Sequence, residues 1–152
     1  MKHHRPFIAP AIALLLAACG GSDAYQAREM HLSRITALWP TTNLNERYVV
    51  RSESEWQAVW TLHEPPTLPV TIRPNIDFDS KMVVGLTLGS GPNGCYGLSI
   101  RRAVEEELEI RVDYAQSEPG PGMFCTQAIV PLTDFVSVSR SDKRVVFVRT
   151  DG

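Results

Sequence analysis

Met82-Val83-Val84-Gly85-Leu86-Thr87-Leu88 is apolar at almost every position. An uninterrupted apolar run of strand length requires a strand buried on both faces, as in the centre of a sheet. The segments around it carry the period of two expected of β structure. Leu108, Ile110, Val112 and Tyr114 alternate with Glu109, Arg111 and Asp113, and Tyr96, Leu98 and Ile100 alternate with Gly97, Ser99 and Arg101. Such alternation fits strands with one face on a core and one in solvent. Glu105-Glu106 mark the turn between them. Further strands are expected near 29–35, at Arg47–Arg51, at Phe124–Val130, at Phe135–Ser139 with an interruption at Pro131, and at Val145–Val148. Leu38–Asn43 reads as a turn, and the prolines at 69 and 74 make Leu68–Asp79 a loop, with Asp77 bonding local backbone.

One segment breaks this pattern. Trp56, Val59, Trp60 and His63 recur at i, i+3, i+4 and i+7, one face of a helix. Ser52 is placed to cap its first turn and Glu55, three residues on, to reach back. Pro65-Pro66 ends it. A helix this short does not persist alone in water, so it must lie on a sheet. The expected fold is α+β: one mainly antiparallel sheet, or a partly closed barrel, of about six strands with one amphipathic helix packed on it. The 152 residues suffice for one domain. A net charge of −2 excludes a protein that tracks nucleic-acid phosphates.

The N-terminus carries an address. Met1-Lys2-His3-His4-Arg5 is a basic start, and Pro6–Ala18 is an uncharged run of 13 residues. That run is too short for a bilayer core of ~30 Å and fits a secretory signal peptide. Leu16-Ala17-Ala18-Cys19 resembles the lipobox of bacterial lipoproteins. The resemblance implies cleavage before Cys19, lipidation of its thiol and stable anchoring by more than one acyl chain. Gly20, not Asp, follows, so nothing resembles the inner-membrane retention signal, and in a cell with two membranes the resemblance implies an outer-membrane position facing the periplasm. The expected organisation is a signal peptide over 1–18, anchor and tether over 19–27, and a folded domain over 28–152. Loss of Lys2 and Arg5 takes the mature charge from −2 to −4.

Export leaves Cys95 and Cys125 as an even pair in an oxidising compartment, where a disulfide is the natural state. The pair carries a geometric constraint. In a plain meander the strand of 107–114 would separate the strands that begin at the two cysteines. Second-neighbour strands are ~9.6 Å apart, whereas a disulfide spans Cα separations up to ~7 Å. The bond is therefore compatible with this chain only if the simple meander, or the placement of the cysteines within strands, is given up.

The succession of short motifs resembles the PrcB C-terminal domain family of bacterial exported proteins. It runs from Val49-Val50-Arg51-Ser52, Glu55-Trp56 and Trp60 to Ile76-Asp77-Phe78-Asp79, Met82-Val83-Val84 and Leu88-Gly89. It continues through Asn93-Gly94-Cys95-Tyr96, Pro119-Gly120-Pro121-Gly122, Thr126-Gln127 and Pro131, covering roughly 28–149. Cys95 departs from the Gly that many members have before the Tyr. The resemblance implies a non-catalytic accessory domain that associates with protein partners, here an exported protein such as a protease. It implies no active site.

The residues lead to the same expectation. The chain has no GxSxG, HExxH or P-loop. Gly89-Ser90-Gly91-Pro92-Asn93-Gly94 has the GxGxxG spacing, but it joins two expected strands and opens no helix, so it lacks the dipole that would hold phosphate. A Ser-His-Asp triad could use only His31 or His63 in the mature chain, and His63 reads as a packed side chain; Asp77 with Asp79 and Glu105–Glu107 read as a turn and a solvated charge run rather than as acid–base pairs. No CxxC or EF-hand loop points to a metal, and no cofactor is expected. The expected binding surface consists of two loops at one end of the sheet. One is Gly89, Ser90, Gly91, Pro92, Asn93 and Gly94 with Tyr96 beside it; the other, over 116–122, contains Pro119, Gly120, Pro121 and Gly122. Loops on a rigid scaffold are where binding groups sit. Three roles are open: an accessory protein docking an exported partner, a direct protease inhibitor presenting these loops, and a structural envelope lipoprotein.

Overall fold

The computed structural model describes residues 25–36, 45–63 and 72–150. The signal peptide, Cys19, most of the tether, the Leu38–Asn43 turn and Pro65-Pro66 lie outside the described residues. The elements in chain order are β1 (Arg28–Met30), β2 (Ser33–Ile35), β3 (Asn45–Val50), α1 (Glu53–His63), β4 (Lys81–Gly91), β5 (Gly97–Glu105), β6 (Glu109–Ser117), β7 (Val130–Ser139) and β8 (Arg144–Arg149). The chain is α+β with its helix packed on a sheet. The strands form two four-stranded sheets, ordered β1-β5-β6-β8 and β2-β7-β4-β3, rather than one, and neither closes into a barrel. All pairings are antiparallel except β6 with β8.

The apolar run at 82–88 explains the layering. Met82, Val84 and Leu86 point between the sheets, where they meet Ile100, Ala103, Ile110, Val112, Tyr114, Val136 and Val138. Val83, on the opposite face, joins Trp56, Val59, Trp60, Val50, Ile35 and Phe135 under the helix. A strand covered by a sheet on one side and a helix on the other has no place for a polar alternate. Gly85 in this strand faces Phe135 on β7. A Cβ at Gly85 would lie 2.1 Å from the Phe135 ring, so the aromatic occupies the space that a side chain would need.

Trp56 and Trp60 are buried, as their spacing requires. The helix cap differs in detail from the expected box. Ser52 Oγ accepts from Glu55 N at 3.3 Å, but the Glu55 carboxylate accepts from Arg51 N at 2.7 Å, one residue earlier than the reciprocal bond would reach. Arg51 has its own fixed position, since its guanidinium donates to Ser141 O and Lys143 O. Asp77 behaves as read: its carboxylate accepts from Asp79 N and the Ser80 hydroxyl. Those donors hold the Asp77 carboxyl below the usual range, the Ser80 hydroxyl most of all.

The single strand expected near 29–35 is two strands in different sheets. β1 pairs with β5 and β2 with β7, so the chain changes sheet at His31-Leu32. Arg34 bridges the same gap. It contacts Asp134 at 2.5 Å within its own sheet and donates to Ile100 O at 2.8 Å in the other. Asp134 in turn accepts from Ile100 N at 2.7 Å, beside the β5 bulge between Ile100 and Arg102.

Two strand expectations are corrected. Residues 124–129 are loop, and the strand begins at Val130. Pro131 does not interrupt β7 but lies within it, paired with Ser90. Among the described residues β2 covers the other side of β7 only at Phe135–Ser137, and proline is tolerated in a strand where its missing N–H faces no ladder partner.

Candidate functional site

Two crossings connect the sheets at one end of the sandwich. Residues 92–96 lead from β4 to β5, and 118–129 lead from β6 back to β7. Cys95 and Cys125 lie in these crossings, outside any strand, and form a disulfide with a Cα separation of 5.4 Å. The geometric conflict is resolved because β6 and β7 belong to different sheets. The strand that follows Cys125 is paired in the other sheet, so β6 does not lie between it and β5.

The first candidate loop is shorter than expected. Gly89, Ser90 and Gly91 belong to β4, where Gly89 takes a φ of 81° in a bulge between Thr87 and Ser90. Pro92, Asn93, Gly94 and Cys95 form the loop proper, with Asn93 Oδ1 accepting from Cys95 N at 3.0 Å. Tyr96 is half-buried against the end of β4, because a Cβ on Gly91 would lie 2.3 Å from its own Cβ. It supports the loop more than it displays a binding group.

The second loop is longer than expected and carries the apolar display. Pro119, Gly120, Pro121 and Gly122 form its first turn, with Met123 N donating to Gly120 O at 3.3 Å. Met123–Ile129 follow, all exposed apart from half-buried Cys125. Of the seven exposed large hydrophobic residues among those described, Met123, Phe124 and Ile129 fall in this one loop. Phe124 has the exposure of a fully solvated side chain, at 103%. Isolated exposed apolar residues are ordinary, whereas a cluster on one loop marks an interaction site.

The two loops touch at defined points. Gly94 N donates to Thr126 O at 3.0 Å, and a Cβ on Gly94 would lie 2.0 Å from Thr126 Oγ1. The disulfide sits one residue along in each strand of this contact. The 118–129 loop is therefore fixed at its middle while the side chains on either side of Cys125 stay in solvent. Residues 82–100 and 119–133 contain no Asp, Glu, Lys, Arg or His in a chain that is 21% charged, while Glu118 at the start of the second loop pairs with Arg149 at 3.9 Å. Beside it, on the outer face of β5 and β6, lies a depression of about 440 Å³ floored by small residues, among them Gly97, Ser99, Ala115 and Ser117.

The opposite end is charged. Arg28 on β1 contacts Glu105 at 2.6 Å, and Lys143 approaches Glu105 at 3.3 Å and lies 4.5 Å over the Tyr25 ring. The bond from Arg28, then that from Lys143, hold the Glu105 carboxyl below its ordinary range. Since Arg28 pairs with Glu105 and Gly97 with Ser117, the length of β5 separates this end from the loops. Eight residue steps at about 3.3 Å make that about 26 Å. The chain before Arg28 thus leaves the domain at the end remote from Phe124.

The two histidines do different things. His63 is fully buried. Its Nδ1 lies 2.8 Å from Val59 O, so it donates there, and the ring packs edge-on against Tyr48 and Phe135. Nε2 has no partner and no route to solvent. His31 lines a depression of about 290 Å³ with Ser33, Ser80, Lys81, Ser137 and Ser139. Among the described residues no hydrogen bond joins His31 or Lys81 to those hydroxyls, and the Ser80 hydroxyl donates to the Asp77 carboxylate at 2.6 Å.

The sequence reading missed Phe124 as a display residue because Phe-Cys-Thr reads as β structure. The available signal was the charge-free stretch after a Pro-Gly-Pro-Gly turn. The chain matches no protein-family profile, no curated protein and no solved structure.

Proposed function

We propose that the chain is an exported, envelope-anchored lipoprotein whose folded part is a non-catalytic protein-interaction domain. It docks an exported protein through the 118–129 loop, in keeping with the accessory role implied by its resemblance to the PrcB C-terminal family. The observation that carries this reading is Phe124, fully exposed on a loop that the Cys95–Cys125 disulfide holds fixed. Fixing a loop before contact reduces the ordering cost of binding. The placement supports a protein partner over the anchoring membrane. A lipid at Cys19 would tether the domain through its Arg28 end, about 26 Å from the loops, which leaves the apolar display free for a partner. The absence of charged residues from 119–129 supports contact with an apolar protein surface rather than a polyanion.

The test is co-purification of the lipidated protein with envelope proteins, compared with Phe124→Ala and with Cys19→Ser. A partner of this loop is retained at salt near ~0.5 M, where screening removes exposed ionic contacts. It is lost with Phe124→Ala. Cys19→Ser moves the domain out of the membrane fraction without affecting capture in solution. Recovery of the same proteins with Phe124→Ala would remove the loop from the interaction, and a membrane-bound Cys19→Ser protein would remove the anchor.

A further inference from the structure

We propose that the 118–129 loop is a substrate-like inhibitory loop for serine endopeptidases that cleave after large apolar residues, with Phe124 as the residue that enters the specificity pocket. This rests on the protein-docking reading above and names its partner by chemistry. Three features of the loop bear on it together. Phe124 is fully exposed, with Met123 exposed before it and Thr126 and Gln127 exposed after Cys125. Met123–Thr126 adopt neither helix nor turn, and all of them except Cys125 are exposed. The amine side of the Phe124–Cys125 bond is tied to the rest of the domain, Cys125 by Cys95 and Thr126 O by Gly94 N, while on the acyl side Met123 N bonds within the loop to Gly120 O.

These ties decide between substrate and inhibitor. In an ordinary cleavage the protease's serine oxygen attacks the carbonyl carbon of the residue in the pocket. The C–N bond breaks, the protease's histidine gives its proton to the leaving amine, and the amine diffuses away. Water then hydrolyses the ester. Here the leaving group is the amine of Cys125, which the disulfide and the Thr126–Gly94 bond retain beside the ester. The same amine can attack the ester carbon, return its proton to the histidine and release the serine, which restores the Phe124–Cys125 peptide bond. No co-reactant is consumed. A group retained in position reacts with an effective concentration of about 10⁵ M or more when well oriented. Religation therefore outruns hydrolysis, and the protease stays occupied.

The experiment uses the purified exported chain with its disulfide intact, and chymotrypsin and trypsin as probes. The expected result is inhibition of chymotrypsin and none of trypsin, whose acidic pocket does not accept Phe. Phe124→Gly weakens chymotrypsin inhibition by at least about 30-fold, the loss expected for a residue that anchors an interface. Phe124→Lys transfers inhibition to trypsin. Phe124 is solvent-exposed, so neither variant disturbs the fold. Cys95→Ser/Cys125→Ser turns the loop into a substrate, and mass spectrometry shows accumulation of the cut after Phe124. Undiminished chymotrypsin activity, with the loop either intact or stably cut, overturns the proposal. So does a Phe124→Lys protein without effect on trypsin. If Phe124→Ala still abolishes partner retention in the envelope experiment, protein docking stands while protease inhibition falls. If both fail, the loop has no protein-binding role.

Discussion

Gly85→Ala separates two effects that glycine replacement in a strand combines. Alanine restricts the unfolded chain, which alone would stabilise the protein by about 0.4–1 kcal/mol. In the folded state the new Cβ would lie 2.1 Å from Cδ1 of Phe135, whereas carbon atoms settle at about 3.5–4.0 Å. The ring would have to move by about 1.5 Å. It has nowhere to go. Phe135 is fully buried, with the rings of Tyr48 at 5.4 Å, His63 at 5.3 Å and Trp56 at 6.4 Å between centroids. Overpacking of this kind costs about 1–3 kcal/mol, so the expected net loss is about 1–2 kcal/mol. In urea, followed by tryptophan fluorescence, that is a fall in midpoint of roughly 1 M. The stronger test is a double-mutant cycle. Phe135→Leu alone costs about 1–2 kcal/mol, but it frees the space over residue 85. Gly85→Ala in the Phe135→Leu background then becomes neutral or stabilising, with a coupling on the order of 1–3 kcal/mol. A raised midpoint for Gly85→Ala alone, or an additive cycle, would refute the claim that Phe135 is what requires glycine here.

Trp56→Ala removes a fully buried side chain between helix and sheet and is expected to lower stability by about 3–5 kcal/mol, read from the denaturation midpoint. Cys95→Ser/Cys125→Ser opens a link between residues 30 apart in sequence, and loop entropy puts the loss at about 3.6 kcal/mol, checked by thermal unfolding of the oxidised and mutated proteins. Glu105 titrates lower in the folded state than in the unfolded chain, chiefly through its bond from Arg28, so its contribution is complete above the ordinary value of 4.5 and disappears as pH falls through the depressed folded value. Stability should therefore hold from neutrality to about that pH and fall below it, and Glu105→Gln should flatten part of the acid slope; an unchanged slope would show that Glu105 has no share in it.

The parts of the fold legible in the sequence were those set by local periodicity. Trp56, Val59, Trp60 and His63 defined the helix face because a buried helix leaves a 3.6-residue signature. The run at 82–88 identified a strand buried twice, but it did not reveal that the second cover was another sheet. Partner choice is a long-range property. β1 and β2 are three residues each, and which sheet each joins is decided by residues 73 to 104 positions away. The same limit applied to the site. Periodicity assigned 124–130 to a strand, since Phe, Thr, Ile and Val favour that conformation, but no neighbouring strand is available to pair with residues 124–129. Without ladder partners the segment becomes a loop, and the side chain that would have alternated into a core stands in solvent. The cysteines gave the better guide, because a covalent bond fixes a distance whatever the strand order.

The sheet change at His31-Leu32 determines how the domain carries mechanical load. Any pull on the chain that precedes Tyr25 reaches β1 first. There three residues antiparallel to the end of β5, the Arg28–Glu105 pair and the buried Met30 side chain share it. If that contact slips, the force passes to β2, which is joined to the other sheet. The pull does not peel one sheet from its edge. It engages both sheets in turn, and both remain bridged by Arg34 and by the disulfide at the far end. A domain held at one end while a partner draws on its loops at the other is loaded along its strands, the direction in which ladder hydrogen bonds resist together rather than one at a time.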